Sequence, residues 1–407
     1  MEVAFQLAGA AGVRLSTVVM AHPRRRADAM RIQGEYPELN IRIVFDPEPG
    51  GPPATLRTAR AAWAAVADGV VADATHHLVL QADVLLCADF PRVVTQALDA
   101  APDGALALFA PWSMATSQAV RLAALAGASW TRLQDGWTPT QALALPAEWA
   151  REFGAVAANL PDTEPDNRAM YSFLAERERS TYVAIPSLVE HAPAESLLFN
   201  DLLHGVREAT VFAGADPARQ AFTDRVVSPP AVSHVWMGAG EYYSSYNPAD
   251  PTPRAMVTPT HEVLTQFGMA NEEMAAAFAE DLARHPELAE DSPVGECLHF
   301  AMWLTMFASG VIAGTVLDEP SSAALDTAWK QPWAEDALAT FPAATLRKIA
   351  SREALGPAAR TLVPFCRSAM HSGVTAVDRW PGLTALWDPH AHEIVPHWAR
   401  AKAGADR

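Results

Sequence analysis

Three stretches of the sequence set charged side chains directly behind apolar runs: Met20-Ala-His-Pro-Arg-Arg-Arg26, Phe45-Asp46-Pro47 and Leu80-Gln-Ala-Asp-Val84. A carboxylate at the end of a buried strand is costly unless it is paired or holds a metal. Asp83 closes an apolar run that begins at His77, and so places an oxygen ligand at a sheet edge. Downstream, Pro186-Ser-Leu-Val-Glu-His191 puts a histidine at the end of a second extended segment, where it can meet Asp83. Asp with His is a partial shell for Mn²⁺, with phosphate oxygens to complete it. The acidic stretch Pro161-Asp-Thr-Glu-Pro-Asp166 precedes a helical segment. A carboxylate at a helix start is oriented and its charge is favoured there, which suits general-base work.

The elements that position these groups follow from periodicity and turn chemistry. Leu15–Met20, Asn40–Phe45, His77–Asp83 and Ala105–Ala110 read as strands. The nearly unbroken apolar character of 77–83 is that of a strand buried on both faces of a parallel sheet. Helical stretches at 24–34, 55–68 and 90–101 alternate with them, which is an α/β pattern. Ser129–Leu133, Thr140–Leu145 and Tyr182–Pro186 add short strands, and 167–177 a helix with Asp166 as its expected N-cap. In open α/β sheets ligands bind at the carboxyl ends of strands, where the charged stretches fall. From Pro229 to Pro253 the composition predicts a loop. Helices broken at prolines follow: 271–285, 295–317, 333–339, 344–352 and 358–371.

Composition narrows the function further. The chain has 407 residues, enough for two domains, with 50% hydrophobic and 19% charged residues. That balance argues against wholesale disorder. The net charge of −17 opposes binding to a nucleic-acid polymer. It leaves room for a small anion held by a local arginine cluster. Three cysteines (Cys87, Cys297, Cys366) form no CxxC pair, which points to a reducing cytoplasm rather than a zinc ribbon or a disulfide framework. No uninterrupted apolar run reaches the ~18–20 residues of a membrane span, and the first 20 residues lack the basic start of a signal peptide. There is no phosphate-binding GxxxxGK[ST] loop, no GxSxG elbow and no HExxH.

Taken in order, the motifs resemble a family. Leu78-Val-Leu-Gln-Ala-Asp-Val-Leu-Leu-Cys-Ala-Asp-Phe90 resembles the "LVLQDDV…C.DF" strand of bacterial GT-A-fold glycosyltransferases, and Thr55-Leu-Arg-Thr-Ala-Arg-Ala-Ala-Trp63 the "TAR.AW" helix before it. Trp137, Gln141–Pro146 and Pro186–His191 are similar to the later "W…ALALP" and "PSLV.H" segments. The resemblance spans roughly residues 15–200. It implies a nucleotide-diphosphate sugar as donor substrate and Mn²⁺ or Mg²⁺ as cofactor. Gln81-Ala82-Asp83 would be the DxD-type site, with Asp83 and, at a distance, His191 as metal ligands. His22, the Arg24–Arg26 turn, Asp46, Arg60 and Gln81 would lie near the donor. Asp166 would be the catalytic carboxylate, with Asp162 and Glu164 as rivals. The sequence departs from the family at Gln81 and Ala82, where acids are common. The implied architecture is α/β, a GT-A-like nucleotide-sugar domain over 1–225, then a mostly α-helical accessory or acceptor domain over 226–407.

Each residue also has an ordinary use. Asp83 can cap a helix, His191 can be a satisfied core histidine, Asp166 a helix cap and Arg24–Arg26 a solvated helix start. Trp63 reads as core, and Asp388-Pro-His-Ala-His392 with His397 as surface. Trp236, Tyr242, Tyr243 and Tyr246 could stack on an acceptor, but packing between domains is the favoured reading. The acceptor, whether small molecule, peptide or glycan, is not specified by sequence, and the C-terminal helices could also support a homo-oligomer. Two rivals stand beside the transferase: a nucleotidyltransferase, which would usually carry a Gly-rich loop where His22-Pro23-Arg24 stands, and a non-catalytic partner protein of the same fold.

Overall fold

In the computed structural model, the described residues are 12–388, apart from 69–72, 194, 199–200, 217–218, 220, 237, 245–255, 289–291 and 293. The first strand, β1 (Leu15–Ala21), is β-branched at Thr17, Val18 and Val19, and all but its first residue are buried. It sits between β2 (Arg42–Phe45) and β3 (His76–Gln81), parallel to both. The full sheet has seven strands in the order β2-β1-β3-β7-β5-β8-β6, adding β5 (Ala105–Ala107), β6 (Trp130–Arg132), β7 (Ala142–Pro146) and β8 (Thr181–Ala184). Strand β7 runs antiparallel to both β3 and β5, and β6 antiparallel to β8, while β5 and β8 are parallel. The sheet is therefore mixed but mostly parallel, and the α/β expectation holds at that level.

Alternation along the strands divides the core in two. Val18, Val79, Leu143 and Leu145 face helices α2 (Thr55–Ala64), α5 (Ala147–Ala157) and α6 (Asp166–Ala175). Val19, Leu78 and Leu80 face α1 (Arg26–Glu35) and α3 (Phe90–Ala100). Trp63 is core, edge-on to His77 and Phe153. Asp166 is the first residue of α6 and Pro165 occupies the cap, which corrects the expected N-cap by one position. A separate two-stranded ribbon joins β4 (Val84–Leu86) to β9 (Val189–His191).

Helix α4 (Ala115–Leu125) is buried on every side and has no amphipathic stripe to betray it in the sequence. Asp135 supplies its N-terminal acceptors, taking the N–H of Ala115 at 3.2 Å and of Thr116 at 3.1 Å. Its Val120, Ala123 and Ala124 join the core under the sheet, whereas Ala115, Ala119, Leu122 and Leu125 join the core of the C-terminal half.

After the short α7 (Asp201–His204), the stretch predicted as loop contains β10 (Ala231–Trp236) and β11 (Ala239–Ser244), which form an antiparallel sheet with β12 (Met256–Pro259). This corrects the loop expectation. Of the residues that suggested a loop, Ser233 is paired inside, sharing a hydroxyl hydrogen bond of 2.8 Å with Thr260. Among the described residues, helices α8 (Thr260–Gln266), α9 (Asn271–Ala283), α10 (Glu296–Ala313), α11 (Ser322–Ala328), α12 (Ala334–Leu346) and α13 (Arg352–Arg379) follow, and then a 3₁₀ segment (Pro381–Trp387). Prolines do not divide α12 and α13 where the sequence predicted breaks: Pro342 and Pro357 lie inside them, as does Pro364, which the sequence already placed within a helix. A missing N–H destabilises a helix, but the faces that carry Leu355, Leu362, Phe365 and Met370 are buried in the core and outweigh that loss. Among the described residues only α10 has the length and apolarity of a membrane span, and it is the buried centre of the C-terminal half.

Candidate functional site

Parallel pairing brings three strand ends to one edge. Met20 stands opposite Gln81 and Ala21 opposite Phe45. The Asp46 N–H donates to the Ala21 carbonyl at 2.9 Å, and the Ala82 N–H to the Met20 carbonyl at 3.0 Å. His22, Asp46 and Asp83 thus leave the sheet side by side. The antiparallel β7 starts at this same edge, because the Gln81 N–H donates to the Gln141 carbonyl at 2.9 Å.

Asp83 sits on the turn between β3 and β4. Val84 pairs with His191, and the Ala192 N–H donates to the Asp83 carbonyl at 2.9 Å, which fixes the two backbones against each other. The side chains converge, with Asp83 Oδ2 3.7 Å from His191 Nε2. The Nδ1 of His191 lies 2.9 Å from the Ala192 carbonyl, which can only accept, so Nδ1 carries the hydrogen. Burial lowers the pKa of His191, against the nearby Asp83 charge that raises it. A neutral imidazole then presents its Nε2 lone pair to a carboxylate beyond hydrogen-bond distance. Two electron-pair donors facing each other at this spacing can hold one divalent cation. No group of three or more His, Cys, Asp or Glu gathers among the described residues, so the remaining ligands would be oxygens of a bound molecule or water. Ala82 packs into the apolar cluster with Val19 and Leu80, and its methyl plays no part at the edge.

The other donor-side residues are tied to the protein. Asp46 is buried and paired with Arg57 through Nε–Oδ1 at 2.7 Å and Nη2–Oδ2 at 2.9 Å. The Arg57 guanidinium holds this carboxyl below the usual carboxylate range. His22 caps the 3₁₀ turn that follows β1, with Nδ1 3.1 Å from the Arg24 N–H and Nε2 3.2 Å from the Pro49 carbonyl. Arg24 is exposed, Arg25 reaches the Glu195 carbonyl, and Arg26 lies over the Phe45 ring at 4.3 Å. Arg60 turns away from the edge. It donates to the Ala157 and Leu160 carbonyls at 2.8 Å and pairs with Asp162 at 3.0 Å.

Of the three acids before α6, Asp166 is buried, while Asp162 and Glu164 lie outward on the turn. The Asp166 N–H donates to Thr55 Oγ1 at 3.1 Å, and Gln81 Nε2 donates to Thr140 Oγ1 at 3.2 Å. Burial raises the Asp166 pKa, while the Thr55 and Thr140 hydroxyls favour its ionised form. Four buried polar atoms here have no hydrogen-bond partner among the described residues: Thr138 Oγ1, Gln141 Oε1, Asp166 Oδ2 and Asn167 Oδ1. Buried polar groups are nearly always paired, so a local group of orphans asks for an explanation.

The site therefore joins Asp83, His191, Gln81 and Asp166 along one sheet edge, with His22 and the Asp46–Arg57 pair beside them, and leaves Arg60 and Asp162 paired with each other. Sequence reading passed over Thr55 and Thr140, which contact Asp166; no motif marks them. It also missed Arg57 as the partner of Asp46, although Arg57 stands one turn before Arg60 on the same helix. No known family profile matches the chain, and no curated protein of known function matches it significantly.

Proposed function

We propose that this protein is a glycosyltransferase that moves a sugar from a nucleotide-diphosphate donor to an acceptor nucleophile with the help of Mn²⁺ or Mg²⁺. The observation that carries the reading is the facing pair of Asp83 Oδ2 and His191 Nε2 at the carboxyl edge of the sheet. Asp83 and His191 would hold the cation, and a cation there neutralises the charge that builds on a departing diphosphate. His22 and the exposed Arg24 follow the end of β1 at the same sheet edge. The orphaned oxygens around Asp166 are acceptors that a hydroxyl-rich sugar would satisfy. Asp166 is the candidate base for an inverting transfer. Its raised pKa makes the carboxylate a stronger proton acceptor than a solvated aspartate. Glu164, on the more open turn, is its rival. Free cysteines, two of them buried, accord with a cytoplasmic protein.

One observation favours a second reading, a non-catalytic partner protein that binds nucleotide sugars. Arg57 and Arg60 engage the protein's own carboxylates and carbonyls, which leaves fewer cations for a diphosphate. The two readings part in a thermal-stability panel of nucleoside diphosphates and nucleotide sugars, with and without Mn²⁺, followed by donor turnover. The transferase reading expects a shift that needs both nucleotide and metal, worth about 2.7 kcal/mol at 100 times Kd, and turnover of the same donor. A shift without turnover on any acceptor supports the partner reading. No shift with any nucleotide rejects both.

A further inference from the structure

Away from the sheet edge, two arginines are buried at the junction of the two halves, Arg121 on α4 and Arg347 just past α12. Among the described residues every hydrogen-bond partner of the two guanidiniums is a neutral oxygen, and Arg121 also lies over the Phe341 ring at 5.4 Å. Arg121 donates from Nε to the Ala337 carbonyl at 3.0 Å, from Nη1 to Ser117 Oγ at 2.8 Å, and from Nη2 to Thr340 Oγ1 at 3.0 Å and the Trp112 carbonyl at 3.3 Å. Arg347 donates from Nε to the His204 carbonyl at 2.9 Å and from Nη1 to the Ala344 carbonyl at 2.7 Å. Its Nη2 is buried with no hydrogen-bond partner among the described residues. Among the described residues no carboxylate pairs with either arginine, in a chain with 47 acidic residues and a net charge of −17. Glu241 faces His234, another residue of this corner, at 3.9 Å.

Both arginines line one recess, together with Ser113, Ser117, His234 and Thr345. It holds about 200 Å³ of empty space, part of it open to solvent. The enclosed part is only about the size of a water, so the recess admits at most a single compact group at its open side and not a nucleotide. Uncompensated buried charge is strongly unfavourable, and guanidinium forks match planar or tetrahedral oxyanions. We propose that this recess binds one small oxyanion, a phosphate or carboxylate group, between Arg121 and Arg347. Burial pulls Arg121 down to about 9 and Arg347 to about 10, the direction that an unpaired buried cation takes. Because Arg121 belongs to the sheet half and Arg347 to the helical half, the anion would fasten one to the other. The inference is independent of the donor site.

The test is thermal unfolding of the full chain in EDTA, titrated with inorganic phosphate, acetate or chloride at matched ionic strength. The proposal expects a saturable rise of several degrees with phosphate or with acetate, beyond that given by chloride. Whichever anion gives it identifies the source as a phosphate or a carboxylate compound. In Arg347→Gln the saturable rise disappears, and the anion-free variant melts at or above the anion-free wild type, because the unpaired charge is gone. Equal effects of all three salts in the wild type would overturn the proposal without need of any variant. So would a rise that survives unchanged in folded Arg347→Gln.

Discussion

Asp166 carries the sharpest consequence at the scale of single residues. Its folded-state pKa is raised by burial above the ~3.9 of an unfolded aspartate. Between those values the folded state holds a proton that the unfolded chain has lost. Its contribution to stability is thus intact below about pH 4 and declines as pH rises through the folded pKa. Asp166→Asn cannot titrate. Denaturant unfolding at pH 4 and pH 7 is expected to show the variant gaining on the wild type as pH rises, while turnover falls by ~10²–10⁴-fold. If Glu164→Gln loses turnover instead, the base is Glu164. The meeting of Asp83 with His191 was legible because each residue closes an extended segment, and a sheet gathers such ends. The depth of Asp166 was not legible, because burial of a helix start depends on what packs over it, here Thr55 and Thr140 from distant segments. Asp46 looked like a ligand residue and is instead the partner of Arg57, a pairing 11 residues apart that no spacing rule specifies.

At the scale of elements, strands with strong periodicity fell where the pattern put them: β1, β2, β3, β7 and β8 lie within the predicted runs or within one residue of them. The errors share a cause. Local composition marks β10 and β11 as loop and the prolines as helix ends, but tertiary burial decides otherwise in both cases. Helix α4 was unreadable because a helix buried all round has no polar face. The pairing of α10 with α13 shows what such burial demands. A Cβ on Gly373 would run into the Phe307 carbonyl, and one on Gly310 into the Met370 carbonyl, so the two backbones touch where only glycine fits. Gly373→Ala must push the helices apart. Overpacking of this kind costs about 1–3 kcal/mol, and a lowered denaturant midpoint with unchanged nucleotide affinity is the expected result. Unaltered stability would mean that the contact is not this close.

At the scale of the whole molecule the two halves share material. Helix α4 contributes to both cores, Trp333 and Ala337 from the helical half pack with residues under the sheet, and Arg121 bonds across the junction. A fragment ending at residue 225 would expose Ala115, Ala119, Leu122 and Leu125. Such a fragment is expected to lack a cooperative thermal transition, whereas the full chain unfolds in one; a fragment that melts sharply would show that the sheet half stands alone. Function belongs to the site rather than the fold, and the site's central element is the facing pair of Asp83 and His191. The most direct measurement is therefore calorimetric titration of a nucleoside diphosphate into wild type and Asp83→Asn, in Mn²⁺ and in EDTA. The account predicts binding to the wild type that requires Mn²⁺, weakens as pH falls and His191 takes up a proton, and drops by ~100-fold or more in Asp83→Asn. Equal affinity in EDTA, or in the folded variant, would contradict it.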